Sequence, residues 1–118
     1  YTSTDLKNWT HTSNFTDHGF LGAQYECPNL VSIPTRDYDT GEPGENLDVL
    51  TLSVQPGAPL GGSVTQYFIG RFNGTHFNTV DQATRLNDFA KDNYAGQFFY
   101  GIPGDQKQVS VAWASNWQ

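Results

Sequence analysis

Glu26 is the residue whose setting most suggests chemistry. It lies in the run Gln24-Tyr25-Glu26-Cys27-Pro28, which holds no other charged side chain. Burial of a carboxyl among neutral groups raises its pKa, so that it can hold a proton near neutral pH and act as a general acid. The alternative is a glutamate beside a strand that points to water, and the residue pattern alone favours this second interpretation.

Two other segments combine residue types that could serve a site. Asp88 and Asp92 flank Lys91, and this composition favours a solvated ion-pair cluster over a catalytic pair. Trp113 and Trp117 are four residues apart, so on a strand their indoles would face the same side. Such a pair forms either part of a core or a flat platform for the C–H face of a sugar, and core packing is the more common use.

The sequence offers no pattern typical of a metal or cofactor site. His11, His18 and His76 do not share a metal-ligand spacing, and Cys27 is the only cysteine, which excludes an intrachain disulfide and a multi-cysteine zinc site. Because Cys27 has no basic residue nearby in sequence, a buried structural thiol is favoured over a nucleophile. Since a glycine-rich phosphate loop and a nucleophile elbow are also absent from the sequence, we expect no metal and no cofactor.

The overall composition excludes several classes of protein. The 118 residues carry 6 basic and 12 acidic side chains, for a formal charge of −6, without a basic stripe. Binding to nucleic acid or to an anionic membrane surface is therefore not expected. Aromatic residues make up 14% of the chain, which excludes a highly charged disordered tail, and no apolar run approaches the roughly 18–20 residues that cross a bilayer.

The elements that must position these residues are short strands. Apolar runs are broken by Gly, Pro, Asn and Asp, a pattern typical of an antiparallel sandwich, barrel or propeller. Asn73-Gly74 predicts a hairpin between two runs, with positive φ at both turn positions. Residues 81–89 have apolar side chains at three-residue spacing, which predicts a connection with about one turn of helix. No internal repeat is evident. The expected strands lie at 29–34, 47–54, 63–72, 75–80, 96–102 and 109–117.

The ends of the chain and its sequons bear on its origin. The chain begins with Tyr1 rather than Met, and residues 113–118 resemble the middle of a strand, so we interpret it as an internal piece of a longer protein. Three Asn-x-Ser/Thr sequons, at Asn8, Asn14 and Asn73, would be exposed glycosylation sites in a secreted protein. Because chance would give about one or two sequons in this composition, they support secretion only weakly.

Several motifs together resemble those of the invertase–inulinase family, family 32 of the glycoside hydrolases, which cleave β-fructofuranosides. The stretch Tyr25-Glu26-Cys27-Pro28 resembles the family's Glu-Cys motif. The resemblance is greatest to secreted fungal β-fructofuranosidases. It covers nearly the whole chain, in order and with family-like spacing, and continues through residues 56–59, 66–70, 72–77, 88–95 and 113–117.

The resemblance implies an all-β fold, in which residues 1–118 are roughly two blades of a five-bladed β-propeller. That propeller is the N-terminal catalytic domain of the family, and the C-terminal β-sandwich is absent from this chain. The family's nucleophile lies in an Asn-Asp-Pro-Asn-like motif, and a transition-state-stabilising aspartate lies in an Arg-Asp-Pro motif. Neither motif occurs here, since Arg36-Asp37 is followed by Tyr38. The nucleophile is therefore expected outside this chain, and the chain alone is expected to be inactive.

The resemblance also implies roles for individual residues. Glu26 would be the acid/base, and Trp117, with Trp113 as the less favoured choice, would contact the fructosyl ring. Asp92 would line or support the pocket, and Gln24 could touch the leaving-group sugar.

Three positions depart from the pattern of many family members. Tyr25, Asn29 and Ala90 stand where many members have Trp, Asp and Gly respectively. These departures concern the preference for donor and acceptor sugars rather than membership of the family.

The implied activity is retaining hydrolysis of sucrose or of inulin-type fructans by the extracellular, glycosylated parent enzyme. One carboxylate would attack the anomeric carbon while Glu26 protonates the departing oxygen, and Glu26 would then activate water. Two alternatives stay open: a fructosyltransferase on the same scaffold and a non-catalytic carbohydrate-binding β-domain. The expected partner is sucrose or a fructo-oligosaccharide, and a homo-oligomer of the full-length enzyme is compatible with this function.

Overall fold

The computed structural model describes residues 1–19, 22–88, 91–103 and 108–115, and within these ranges the ordered elements are β-strands. They are β1 (Tyr25–Arg36), β2 (Pro43–Val54), β3 (Val64–Phe72), β4 (Phe77–Thr79), β5 (Arg85–Leu86), β6 (Asn93–Phe98) and β7 (Ser110–Ala114). The described ranges contain no helix that is long and apolar enough to cross a membrane.

The first five strands form one antiparallel sheet in the order β1-β2-β3-β4, with β5 also paired to β3. Strand β4 pairs with Gly70–Phe72, and β5 pairs with Gln66 and Tyr67 further along the same edge. The two short strands therefore share the fourth position of the sheet, as one interrupted strand. Strands β6 and β7 form a second antiparallel sheet. Four strand positions in one sheet are the usual content of a propeller blade.

One face of the first sheet is apolar and is covered by the N-terminal segment. Val54 and Phe68 on this face are fully buried. The ring of Phe15 packs edge-on against Phe68, with centroids 5.1 Å apart. The backbone at Gly22 passes so close that a Cβ there would overlap Val54. The segment before β1 is thus part of the core that holds the sheet, because it removes these side chains from water.

The opposite face of the first sheet is rich in hydroxyl groups and is covered by β6. Ser53 and Thr65 are buried there. The Ala95 N–H donates to Ser53 Oγ at 2.9 Å, and Thr65 Oγ1 donates to the Asn93 carbonyl at 3.3 Å. Because hydrogen bonds are directional, these contacts set the alignment of the second sheet on the first more closely than apolar packing alone would.

The β1–β2 hairpin is longer than predicted at both ends. The strand expected at 29–34 runs from Tyr25 to Arg36, and the strand expected at 47–54 begins at Pro43. Pro34 does not end β1, because it stays paired with Asn46 at the outer edge of the sheet, where proline is tolerated. Strand β6 likewise begins at Asn93 rather than at residue 96.

The predicted turn of helix at 81–89 is wrong for the part that the structure describes, 81–88. Arg85 and Leu86 form strand β5 instead. The edge of β3 beyond β4 offers unpaired backbone groups, and pairing with them outweighs a weak three-residue spacing. The Arg85 guanidinium also binds the Asp81 carboxylate at 2.7 Å, which holds the approach to the strand. Phe89, the last residue of the predicted segment, lies outside the described residues.

The hairpin predicted at Asn73-Gly74 is confirmed, but its turn differs from the expected form. Residues 73–76 connect the paired residues Phe72 and Phe77, and Gly74 has a φ of 94°. Asn73 contributes through its side chain, whose Oδ1 accepts the N–H groups of Thr75 and His76 at 3.0 and 2.8 Å. An asparagine side chain that imitates a backbone turn in this way allows a longer loop than a two-residue turn.

Candidate active site

Two β-bulges of the same form shape the candidate site. In β1, Cys27 and Pro28 together lie opposite the single residue Leu52 of β2, and in β6, Ala95 and Gly96 lie opposite one residue of β7. Cys27 has a φ of 48° and Ala95 a φ of 52°. Glycine is the usual residue at a left-handed bulge position. Both strands therefore keep a disfavoured backbone conformation at the residue that follows Glu26 in one strand and Tyr94 in the other.

The side chains of Glu26 and Tyr94, each just before a bulge, meet between β1 and β6. The Tyr94 hydroxyl donates a hydrogen bond to Glu26 Oε2, and Gln24 Nε2 donates to Oε1 at 2.7 Å. Glu26 is half-buried. Hydrogen bonds to both carboxylate oxygens hold the plane of the group in one orientation.

Two further contacts beyond the bulges join β1 to β6 and to the segment just after it. Asn29 Nδ2 donates to Gln97 Oε1 at 2.8 Å, and the Tyr100 hydroxyl donates to the Leu30 carbonyl at 2.8 Å. Three successive contacts therefore link β1 to β6 and the residues that follow it, and the contact between Glu26 and Tyr94 is the first of them.

Gln24 donates its side-chain amide to Glu26 in this structure, and its predicted contact with a leaving-group sugar stays a prediction. The side chain is exposed and lies beside Glu26 through the 2.7 Å hydrogen bond. The side chain is therefore next to the expected acid/base, where it orients the carboxylate.

Asp92 is buried, with 1% of its surface exposed, and has a φ of 67°. Its Oδ1 accepts hydrogen bonds from the N–H and the hydroxyl of Ser63 at 3.1 and 3.2 Å. The expected ion-pair cluster around Lys91 is therefore wrong for Asp92, whose carboxylate binds Ser63. Burial leaves Asp92 almost no exposed surface within the described residues, and its expected role of lining or supporting the pocket stays a prediction.

Trp113 is 66% exposed and lies directly opposite Tyr94 in the β6–β7 sheet. Directly opposite residues of an antiparallel pair project from the same face. Within the described residues Trp113 is thus a surface residue rather than part of a core, contrary to the more common use of such residues. Trp117 lies outside the described residues, so the predicted pairing of the two indoles stays a prediction.

The remaining candidates take no part in a described ligand set. Cys27 is a free, half-buried cysteine within the β1 bulge. His18 stacks on Phe15, with ring centroids 4.7 Å apart, as part of the cover of the first sheet. Among the described residues there is no group of three or more His, Cys, Asp and Glu side chains that could hold a metal ion.

Sequence reasoning missed Tyr94, Asn29 and Gln97 as site residues. The signal that could have found them is the match between residues 26–29 and residues 94–97. In each, a polar side chain precedes a small residue and then Pro or Gly, and an amide follows. Such a short match carries little weight until the two segments are known to share a bulge.

Comparison with known proteins identifies the family. The profile described as "Glycosyl hydrolases family 32 N-terminal domain" matches residues 1–118. The chain belongs to glycosyl hydrolase family 32. Among curated relatives of this family 32 chain, "Invertase 2" of Saccharomyces cerevisiae is 48% identical over 119 residues, and "Extracellular exo-inulinase" of Meyerozyma guilliermondii is 48% identical over 118 residues. Each match includes 100% of this chain and 22% of the relative. The family 32 chain therefore spans about a fifth of the length of these relatives.

Solved structures agree with this family and fold. The fructofuranosidase of Schwanniomyces occidentalis complexed with fructose matches 95% of this chain and 20% of its own, with a TM-score of 0.80 and 44% identity. The exo-inulinase of Aspergillus awamori matches 100% of this chain and 23% of its own, with a TM-score of 0.81 and 33% identity. The predicted fold is confirmed: the family 32 chain is all-β and forms part of a β-propeller domain.

Proposed function

We propose that the full-length protein that contains this chain is a retaining β-fructofuranosidase, and that Glu26 is its general acid/base. The observation that carries the proposal is the position of Glu26. Its carboxylate is half-buried between the first strands of the two sheets, where Tyr94 and Gln24 hold both of its oxygens. Relatives named invertase and exo-inulinase support sucrose and inulin-type fructans as the substrates.

The mechanism divides between this chain and the rest of the protein. A nucleophilic carboxylate outside this chain attacks the anomeric carbon of fructose, while Glu26 gives its proton to the glycosidic oxygen and the leaving group departs. In the second step Glu26 takes a proton from water, the water oxygen attacks the anomeric carbon, and the nucleophilic carboxylate is released. Tyr94 and Gln24 keep the Glu26 carboxylate in one orientation through both steps, because each of them binds a different oxygen.

The other predicted residues have supporting roles in this proposal. The exposed indole of Trp113 offers an apolar surface for the ring of a bound sugar, on the same face of the β6–β7 sheet as Tyr94. Trp117, the preferred contact for the fructosyl ring, keeps that role as a prediction. Asp92 supports the site because its carboxylate accepts the Ser63 N–H just before the start of β6.

The test is to express the full-length protein and to follow the release of fructose from sucrose, inulin and levan. Proton NMR at early times should show that fructose first appears as the β anomer, because double displacement retains configuration. The isolated 118-residue chain serves as the control and should release no fructose. Failure of the full-length protein to release fructose from any of these substrates would contradict the proposal. Transfer of fructose to sugar, rather than to water, at high sucrose would identify a fructosyltransferase instead.

We also propose that the full-length protein is secreted and glycosylated. The three sequon asparagines are exposed. Asn73 lies at the tip of the β3–β4 hairpin, where its side-chain oxygen accepts backbone N–H groups. A relative named "Extracellular exo-inulinase" supports this location. Peptide mass spectrometry of the protein recovered from culture medium should show glycans, first of all at Asn73, while unmodified peptides covering Asn8, Asn14 and Asn73 would contradict the proposal.

A further inference from the structure

We propose that Asn29 and Gln97 form a positioning bridge that keeps the two bulges, and with them Glu26 and Tyr94, in register. This inference deepens the proposed function and rests on it, because the bridge acts through the acid/base and its tyrosine partner. Neither residue is assigned contact with substrate.

The bridge occupies the same place in both strands. Asn29 is the first paired residue after the bulge in β1, and Gln97 is the first paired residue after the bulge in β6. Their side-chain amides meet at 2.8 Å. Glu26 and Tyr94 are the last paired residues before the same two bulges, and they meet through the tyrosine hydroxyl. One contact between the two strands therefore lies just before the two bulges, and the other lies just after them.

Each bulge needs such a restraint because its left-handed residue is not glycine. A Cβ disfavours the conformation that Cys27 and Ala95 hold, so neighbouring contacts must maintain it. In β6, the Ala95 N–H is held by Ser53 Oγ at 2.9 Å. The bridge adds a direct tie between the two strands, so that the bulges cannot shift independently of each other.

The alignment matters because a hydrogen bond weakens steeply when its angle departs from linearity. The Tyr94 hydroxyl reaches Glu26 from a different sheet, 68 residues away in sequence. A small sliding of β6 along β1 would therefore weaken this bond without breaking the packing of either sheet. We expect loss of the bridge to lower kcat more than it raises KM, since the carboxylate must be oriented in the transition state.

The first experiment measures steady-state kinetics of the full-length protein with Gln97→Leu, which removes the acceptor and keeps the length of the side chain. We expect kcat on sucrose to fall about 5- to 20-fold while KM changes less than about twofold. The control is Tyr100→Phe, which removes a hydroxyl just after β6 that bonds to the Leu30 carbonyl at 2.8 Å and lies 3.5 Å from Asn29 Oδ1. It leaves the bond from Asn29 Nδ2 to Gln97 in place. Its kcat should stay within about twofold of the wild-type value.

The second experiment tests whether the bridge acts through Tyr94. In a protein that already carries Tyr94→Phe, adding Gln97→Leu should lower kcat less than about twofold further, because residues that act as a unit are not additive. A merely structural bridge would give the same fold-loss in both backgrounds and would overturn the proposal. An unchanged kcat for Gln97→Leu, or an equal loss for Tyr100→Phe, would overturn it as well.

The outcomes separate this inference from the proposed function. A wild-type protein that releases no fructose from sucrose, inulin or levan contradicts the function itself. An active wild-type protein whose Gln97→Leu variant keeps its kcat contradicts the bridge and leaves the function standing. Should Gln97→Leu fail to fold, Asn29→Ala removes the donor from the other strand, and the same comparison with Tyr100→Phe and with the Tyr94→Phe background decides the matter.

Discussion

The β1–β2 and β6–β7 hairpins have the same bulged backbone but present different chemistry. Each has two residues opposite one, with the first in the left-handed region. The residue before the bulge is Glu26 in one hairpin and Tyr94 in the other, and the two side chains bind each other. The fold therefore repeats one bulged backbone that presents a side chain between the two sheets, while the residue at that position decides its chemistry.

The equivalent positions on the partner strands differ in environment. Ser53 pairs with Glu26 and Trp113 pairs with Tyr94. Ser53 is 0% exposed, because β6 covers it, whereas Trp113 is 66% exposed. A small hydroxyl suits a closely packed boundary between two sheets, where it can accept the N–H of Ala95.

Gln24 and Asp92, two positions before Glu26 and Tyr94, make equivalent backbone hydrogen bonds, but their side chains differ in environment. The carbonyls of Gln24 and Asp92 accept the N–H groups of Gln55 and Ser115 at 3.1 and 3.3 Å, just beyond each hairpin. The Gln24 side chain is exposed and reaches Glu26, whereas the Asp92 side chain is buried against Ser63. One hairpin therefore uses this position to orient the acid/base, and the other uses it to anchor the second sheet.

The sharpest test of the comparison is Glu26→Gln in the full-length protein. The change keeps the size of the side chain but removes the proton that the leaving group needs. General acid catalysis is typically worth about 10²–10⁴-fold, so we expect kcat on sucrose to fall at least about 100-fold, with a smaller change in KM. A variant that keeps more than about a tenth of the wild-type kcat would show that Glu26 is not the acid/base.

Asp92→Ala should give the largest loss of stability. It leaves the buried N–H and hydroxyl of Ser63 without their acceptor, and unsatisfied buried groups cost about 1–3 kcal/mol each. We expect the free energy of unfolding of the catalytic domain to fall by about 2–3 kcal/mol, measured by denaturant titration. The matched control at the equivalent position is Gln24→Ala, whose exposed side chain should change stability by less than about 0.5 kcal/mol. Equal losses would break the distinction between the two positions.

Tyr94→Phe asks how much the second hairpin contributes to the chemistry of the first. The Tyr94 hydroxyl bonds to Glu26 Oε2. Its loss removes that bond, and only the bond from Gln24 to Oε1 then holds the carboxylate. A hydrogen bond to a charged group is worth about 1.5–3 kcal/mol, part of which water restores, so we expect about a tenfold fall in kcat on sucrose. Tyr100→Phe is the control, and a fall as large in that variant would remove any special role for Tyr94.

Valine substitutions at Cys27 and Ala95 test whether the bulges are equivalent in energy as well as in form. A β-branched side chain at positive φ is strongly disfavoured, and left-handed conformation alone costs roughly 1–2 kcal/mol for a residue with a Cβ. Cys27 and Ala95 already bear the cost of a Cβ, so the effect comes from the added branch, and we expect both Cys27→Val and Ala95→Val to lower the free energy of unfolding by about 1–3 kcal/mol. Ala114→Val, on an exposed residue of β7, is the control and should cost less. A tolerated valine in one bulge only would show that the two are not equivalent.

The smallest expected effect is at the turn of the first hairpin. The N–H of Thr40, and then its hydroxyl, bind the Asp37 carboxylate and lower its pKa below the ordinary value of 3.8. A lowered folded-state pKa stabilises the fold above the ordinary value, and that contribution is lost as the pH falls through the folded-state pKa. Thermal unfolding of wild type and Asp37→Asn should therefore differ slightly at pH 5 and converge at lower pH. Asp39→Asn removes the same charge from the same turn, and an identical pH dependence there would contradict the assignment to Asp37.

The sequence alone determined the features that depend on residues close together in the chain. The turn signal at Asn73 and Gly74 predicted the β3–β4 hairpin, and apolar runs broken by Gly, Pro, Asn and Asp predicted an all-β chain. The Glu26 motif and its companions were specific enough to indicate the family. Local turns and strand alternation can be predicted from adjacent residues, because their energies depend on backbone preferences and on nearest neighbours.

Contacts between residues that are distant in the chain depend on the packing of the sheets. Tyr94 reaches Glu26 from 68 residues away, Asp92 is buried by the packing of the second sheet, and residues 85 and 86 form a strand because the edge of β3 is open to them. The two bulges match only loosely in residue type, so the register of their hairpins is what establishes their equivalence. The physical reason is that burial and long-range hydrogen bonds are set by how whole sheets pack, and packing routinely outweighs the local preferences that a sequence shows.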